Sequence, residues 1–179
     1  MRHVGITRRV ALLALAVFLG LAVSCAVAAT ASASGFHLTS SEVAVAKLLN
    51  QTRVQHGLHP LQVRTSLCRA ARAHSGEMVV KGFFSHSSFS GESQAGRVAR
   101  YGYALKGCVS WCTGEVIGYG TRSAGGPQAI VNAWLHSAAH RALLLDPRWR
   151  DVGVGRAFGT FRGRAWASVF TVDVGLRIH

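Results

Sequence analysis

Val152-Gly-Val-Gly-Arg-Ala-Phe158 and Ala165-Trp-Ala-Ser-Val-Phe-Thr-Val172 are alternating or β-branched runs joined by a loop that contains Gly159 and Gly163. Such a pair reads as an antiparallel hairpin. Upstream the period changes. Thr39 and Glu42 have the spacing of a capping box, and Val45, Leu48, Leu49 and Thr52 follow at i, i+3, i+4 and i+7, one stripe of a first helix. Leu67, Ala70, Ala71, His74 and Met78 repeat the stripe in a second helix over 66–81, stopped by Gly82. His74 lies on that stripe and is expected to be a core histidine.

A third short helix is expected over 92–101, and 106–126 reads as irregular apart from a turn or strand near 115–119. Pro127 suits the first turn of a fourth helix whose face is Ile130, Ala133, Trp134 and Ser137. Helices first and strands last predict an α+β domain, a sheet covered by helices. Trp134 and Trp166 are expected to face the core.

Residues 1–33 read as a signal peptide: Arg2, Arg8 and Arg9 precede an apolar run from Val10 to Ala29. Ala26/Ala28 or Ala31/Ala33 fit a small-residue cleavage rule. The run is also long enough for an uncleaved anchor. Thr7-Arg8-Arg9-Val10 has the look of a twin-arginine signal. Ala22-Val-Ser-Cys25 lacks the leading Leu of a lipoprotein box. Residues 34–179 have the size of one domain. An exported location is expected, secreted or held at the membrane by the leader.

Beyond residue 33 there are 17 basic and 7 acidic residues, a net charge of +10. Arginine pairs such as Arg97/Arg100, Arg148/Arg150 and Arg162/Arg164 are scattered rather than gathered. Scatter implies a basic surface open to envelope polyanions, with no nucleic acid expected. An anionic cell-envelope component, a lipid or an extracellular protein is the expected partner, and the protein is expected to be a monomer. Cys108 and Cys112 could close a small disulfide ring in an oxidising compartment, leaving Cys68 as a buried thiol on the second helix.

Leu49-Asn50-Gln-Thr-Arg53, Gly57-Leu-His-Pro-Leu61, Phe84-Ser-His86, Gly102-Tyr103, Gly114-Glu115, Ala133-Trp134, His140-Arg141, Val152-Gly-Val-Gly155 and Ala167-Ser-Val-Phe170 together resemble the SCP-like domain of the CAP superfamily, closest to its short bacterial members. The resemblance implies a three-layer α-β-α sandwich with a central antiparallel sheet, and a cleft with histidines and acidic residues. His86 and His140 match the cleft histidines, and Glu115 matches the acid of the Gly-Glu-Asn motif. Val116 stands where that motif usually has Asn. Ser137 stands where longer members carry a second glutamate.

The cleft set is therefore His86, Glu115, Ser137 and His140. His86 and His140, with Glu115, could bind zinc or another divalent metal and so activate a water for hydrolysis. Their separations carry no metal signal by themselves, and no G-x-S-x-G elbow makes Ser137 a nucleophile. Binding of an envelope ligand through this cleft or the basic face is the leading expectation. A metal-dependent hydrolase is the alternative.

Overall fold

The structure, a computed structural model, describes residues 35–104 and 108–179, so the leader expected over 1–33 lies outside the described residues. The elements are α1 (Ser40–Gln55), β1 (Gln62–Val63), α2 (Thr65–Lys81), α3 (Gln94–Arg100), β2 (Ser110–Thr121), a 3₁₀ turn (Arg122–Gly125), α4 (Pro127–His136), α5 (Ala138–Leu144), β3 (Asp151–Phe161) and β4 (Arg164–Ile178). The sheet order is β1-β3-β4-β2. Only the two-residue β1 pairs in parallel; the rest is antiparallel.

Side-chain alternation along the strands divides the molecule into three layers. Val116, Val152, Val154, Phe170, Val172 and Val174 face α1, α4 and α5 and join Val45, Leu49, Ile130, Trp134 and Leu144 in the main core. The other face meets α2, α3 and the loop between them. There α2 rests directly on β3, because a Cβ at Gly153 or Gly155 would collide with the backbone of Leu67–Cys68 or Ala71–Arg72. The Val-Gly-Val-Gly run is thus a seat for α2. Ser75 Oγ reaches across it to Thr171 Oγ1 at 2.9 Å.

The capping box of α1 forms as expected: Thr39 N–H donates to Glu42 Oε2 at 2.7 Å and the Thr39 hydroxyl accepts from Glu42 N–H. Glu42 also reaches beyond its own helix. It accepts Arg72 Nε at 2.9 Å and the Arg156 backbone N–H at 3.1 Å, tying α1 to α2 and β3. Burial opposes the Glu42 charge, yet the bonds from Arg72 and Thr39 hold its carboxyl below the usual range. Asn50 substitutes for a strand, since its amide both donates to Leu61 O and accepts from Leu61 N–H. Arg53 is buried and donates to the carbonyls of His59, Leu144 and Asp146, which locks α1 to the end of α5. Gly82, at φ 71, ends α2 as predicted, and Cys68 is fully buried.

Five expectations are corrected. The segment read as irregular is a twelve-residue strand, β2, paired with β4 from Ser110↔Ile178 to Thr121↔Ala167. Its glycines hid the pattern: Gly114 and Gly118 leave room for Leu143, Trp149 and Trp134, side chains from distant segments. Helix α3 begins at Gln94, where Ser93 accepts from Gly96 N–H, not at Glu92. The fourth helix is broken at Ser137, which is extended (φ −88, ψ 121), so His136 and His140 lie on different helices. No disulfide joins Cys108 to Cys112; both thiols are free. Extended chain separates residues four apart by on the order of 13 Å, about twice the usual Cα reach of a disulfide.

The fifth correction is Trp166, which is 63% exposed rather than core-facing. Gly159 pairs with Ala167 but Phe161 pairs with Arg164, so β4 carries an extra residue, and Gly159 is strand rather than loop. The turn itself is Arg162-Gly163, both at positive φ. Trp166 occupies the bulge at φ 59, and the bulge turns its ring outward. A left-handed conformation costs a residue with a Cβ roughly 1–2 kcal/mol. Trp166→Gly is therefore expected to be about 1 kcal/mol more stable than Trp166→Ala in urea unfolding. Gly155→Ala is expected to yield no cooperatively folded protein, read as loss of a sharp thermal transition.

Candidate functional site

Glu115 is held on β2 facing the α2/α3 layer, its side chain 2% exposed. His86, on the loop between α2 and α3, donates from Nδ1 to Glu115 Oε1 at 2.7 Å. Arg97 of α3 is 1% exposed and donates from Nη2 to Glu115 Oε2. Its Nη1 donates to Ser88 Oγ at 3.0 Å and to His86 O at 3.2 Å. One guanidinium thus pins the loop while neutralising the carboxylate below it. Fork geometry suits arginine to this double task, which lysine could not perform.

His74 enters from α2, wholly buried. Its Nε2 donates to Ser85 O at 2.8 Å and lies 4.0 Å from Glu115 Oε1. Burial pushes the His74 pKa down, against the pull of Glu115, so the ring is neutral. His86 behaves in the opposite way. Its hydrogen bond to Glu115 raises its pKa above the ordinary value, and partial burial only offsets this. Its side chain is 57% exposed, so the Nε2 edge of the ring is the accessible part of the site.

Asp173 completes the cluster. It is the cross-strand partner of Glu115 and is fully buried, with Gln94 Nε2 donating to its Oδ1 at 2.8 Å. Thr113 in turn donates to Gln94 Oε1 at 2.9 Å. Burial first, and the Glu115 charge second, raise the Asp173 pKa well above a normal carboxyl. Its Oδ2 has no partner unless it carries a proton, when it can donate across the ladder to Glu115. A second negative charge facing the first in a dry site is disfavoured, which is why burial and Glu115 push the Asp173 pKa in the same direction.

The four cleft residues expected from the sequence are not all brought together. His86 and Glu115 are. His140 lies on α5, whose Leu143 packs where a Gly114 side chain would stand, on the other face of β2. No hydrogen bond or ion pair among the described residues joins His140 to His86 or Glu115. Ser137 is the junction of α4 and α5, and its hydroxyl caps neither helix. Among the described residues no group of three or more His, Cys, Asp and Glu side chains is placed to hold a metal ion. With both Glu115 oxygens engaged by His86 and Arg97, the residues present do not fit the expected His₂Glu centre.

Arg97, Asp173 and Gln94 are not picked out by the sequence, whereas His74 is the core histidine that its helical stripe predicts. Arg97 reads as half of a surface pair with Arg100, and only the latter is at the surface, bonded to Glu92. Asp173 did carry a signal, because Thr171-Val-Asp-Val174 sets an acid in the middle of a β-branched run. Aspartate is almost never fully buried without a partner.

The titrating groups pull stability in different directions. An aspartate with a raised native pKa destabilises the fold as pH rises through the window above about 3.8, because the native state must keep or lose a proton that the unfolded chain has already released. His86, raised from 6.5, contributes stability below that value and loses it as pH climbs through its native pKa. Glu42, lowered from 4.5, contributes above that value and loses it as pH falls. His74, lowered from 6.5 by burial, contributes above that value and loses stability as pH falls below it, so thermal stability is expected to drop below about pH 4.5, where the Glu42 and His74 losses act together. Asp173→Asn is expected to raise the melting temperature at pH 7 and to lose that advantage below about pH 4, as a differential scan at both pH values would show.

Residues 46–173 match the CAP family, described as the cysteine-rich secretory protein family. The chain is 32% identical over 126 residues to the uncharacterized protein YkwD of Bacillus subtilis, covering 70% of this chain and 46% of that one. It is 35% identical over 118 residues to the uncharacterized membrane protein YlbC of the same organism, covering 65% of this chain and 32% of that one. It therefore spans less than half the length of either. An outer surface protein from Borrelia burgdorferi has the same fold, with a TM-score of 0.63 at 19% identity over 79% of this chain and 98% of that one. An extracellular protein containing a SCP domain from Bacillus anthracis gives 0.61 at 22% identity, over 78% of this chain and 44% of that one. The layered fold, the His86–Glu115 contact and the match across most of the chain agree: this protein belongs to the CAP family, with an SCP-type domain.

Proposed function

We propose that the domain acts at the cell envelope as a binding module for an anionic component, rather than as a hydrolase. The observation that carries this reading is the pairing of its acids. Among the seven acidic residues, Glu42, Glu92, Glu115, Asp146 and Asp151 are each ion-paired to arginine. The remaining cations outnumber any carboxylate left to meet them. The guanidinium groups of Arg122, Arg141, Arg156, Arg162 and Arg164 form no ion pair with a carboxylate among the described residues. A surface of unpaired guanidinium groups attracts polyanions and steers their encounter.

The same pairing argues against hydrolysis. Glu115 is buried, with one oxygen bonded by His86 and the other by Arg97, and burial raises the pKa of its neighbour Asp173, so neither is an exposed carboxylate placed to activate water. One observation favours the rival: His86 is oriented by a carboxylate at Nδ1 and open at Nε2, as a base or a single metal ligand would be. In that reading Glu115 is the orienting group and His86 the reactive one. Export of the chain is part of the proposal, based on the leader-like residues 1–33. Among the described residues no helix is long and apolar enough to cross a membrane.

Binding of the protein to anionic envelope fractions is expected at low ionic strength, weakening steadily as salt rises past the roughly 10 Å screening length reached near 0.1 M. No association at low salt would refute the reading. Metal analysis of the purified protein, with ester and amide turnover compared in wild type, His86→Ala and His140→Ala, tests the rival: turnover that vanishes in His86→Ala would establish it in place of binding.

A further inference from the structure

The hairpin bulge that turns Trp166 outward also shapes a second site. A solvent-facing cavity of about 520 Å³ lies where the first turns of α1 and α4 meet the β3–β4 hairpin, lined by Arg122, Gly126, Arg156, Phe158, Trp166 and Ser168 among others. No acidic side chain lines it. Phe158 and Trp166 are both more than half exposed, with ring centroids 6.0 Å apart and planes tilted by 49°. Exposed rings of this size are normally buried or used.

Cationic groups stand beside them. The Arg156 guanidinium stacks 5.1 Å from the Phe158 ring and donates through Nε and Nη2 to Ser168 Oγ at 3.2 and 2.8 Å, which fixes its plane and leaves Nη1 without a partner. Arg122 is exposed, and no hydrogen bond or ion pair among the described residues holds its guanidinium. The first turn of α4 opens on the same space: Gly126 is its N-cap and offers no side-chain cap, and Pro127 follows. The next backbone N–H groups therefore lack an intrahelical acceptor and add to the positive end of the helix.

Backbone strain is concentrated here too. Of the three described non-glycine residues with positive φ, Arg122 (51°) and Trp166 (59°) both line the cavity. Strain of this kind persists where it positions side chains for use. It is also independent of the charge pattern, since one of the two residues is aromatic.

We propose that this cavity binds an acidic saccharide, with Phe158 and Trp166 against the apolar face of a sugar ring and Arg122 and Arg156 on its carboxylate or phosphate. A ring-shaped anion fits these features better than an acyl chain, because the space is open to solvent and floored by Ser168 and two arginines. The inference rests on the anion-binding reading above and assigns it a place and a ligand class.

Trp166 supplies the readout, being exposed and in the cavity, while Trp134 and Trp149 are buried and the half-buried Trp111 packs on Tyr103 elsewhere. The full chain is titrated with an acidic tetrasaccharide, tetragalacturonate, following tryptophan fluorescence, with neutral cellotetraose, inorganic phosphate and phosphatidylglycerol vesicles as comparisons. The acidic sugar is expected to bind and the neutral one not. Arg122→Gln and Trp166→Leu, the latter followed by calorimetry, are expected to weaken binding at least tenfold; Arg122→Gln should leave the melting temperature unchanged. Equal binding of cellotetraose or phosphate, or unchanged affinity in both variants, would overturn the assignment. Vesicle binding that depends on Arg122 and Trp166 without sugar binding would make the occupant a lipid headgroup and overturn it as well. If wild type binds anionic vesicles or wall fractions but neither variant matters, this cavity fails and the general reading stands. If wild type binds no anion at low salt, both fail.

Discussion

The buried contact between Arg97 and Glu115 is the constraint on which the site depends. Two charges on side chains 1% and 2% exposed must meet each other, because removing either partner leaves an unpaired buried charge at a cost of about 3–5 kcal/mol. Through that contact α3 is fixed to the edge strand β2, and the loop above is fixed to α3 by the Arg97 bonds to Ser88 and to the His86 carbonyl. His86 is oriented from two directions, at its backbone by the arginine and at its ring by the carboxylate. The exposed imidazole edge is thus the visible end of a rigid, mostly buried chain of bonds.

The sheet lets one strand serve two chemistries. On β2, Gly114, Val116 and Gly118 face the apolar layer, while Glu115, Ile117 and Tyr119 face the layer of α2 and α3. Val116 is fully buried in the same core as Val45, Trp134 and Phe170. The residue that departs from the usual Gly-Glu-Asn motif therefore points away from Glu115 and does not weaken its support. Gln94 of α3 supplies an amide on the Glu115 side instead, bonded to Asp173 and to Thr113. A second carboxyl, which Ser137 in place of the expected glutamate would seem to remove, is likewise present in another form: Asp173, across the ladder from Glu115.

Local order was legible where neighbours in sequence decide it. Thr39 and Glu42 cap α1, Gly82 stops α2, and the α+β class follows from helix period giving way to strand period, the three-layer sandwich being what the family resemblance implies. Legibility failed where a distant partner decides. Nothing within 106–126 announces a strand, since its register belongs to β4 and its glycines to Trp134 and Leu143. Arg97 and Arg100 look alike in sequence, three residues apart on one short helix; only the presence of Glu115 below makes one of them core. His86 and Glu115 were found through family resemblance, and that same resemblance placed His140 with them, which the hydrogen bonding of the described residues does not.

Trp166 shows most plainly how an apolar residue in a strand can be misread. Alternation along β4 would bury it only if the pairing stayed in step, and one extra residue between Arg164 and Ala167 breaks that step. From Ala167 onward the strand is buried without interruption to Val174. The bulge therefore sacrifices nothing from the core; it takes effect only at the hairpin end, where it swings a large ring beside Phe158. Asp173 and Trp166 are opposite cases of one rule. A strand position takes its character from its register, so an acid can be forced inward at one end of β4 and a tryptophan outward at the other, and each exception falls at a place where the molecule has something to hold.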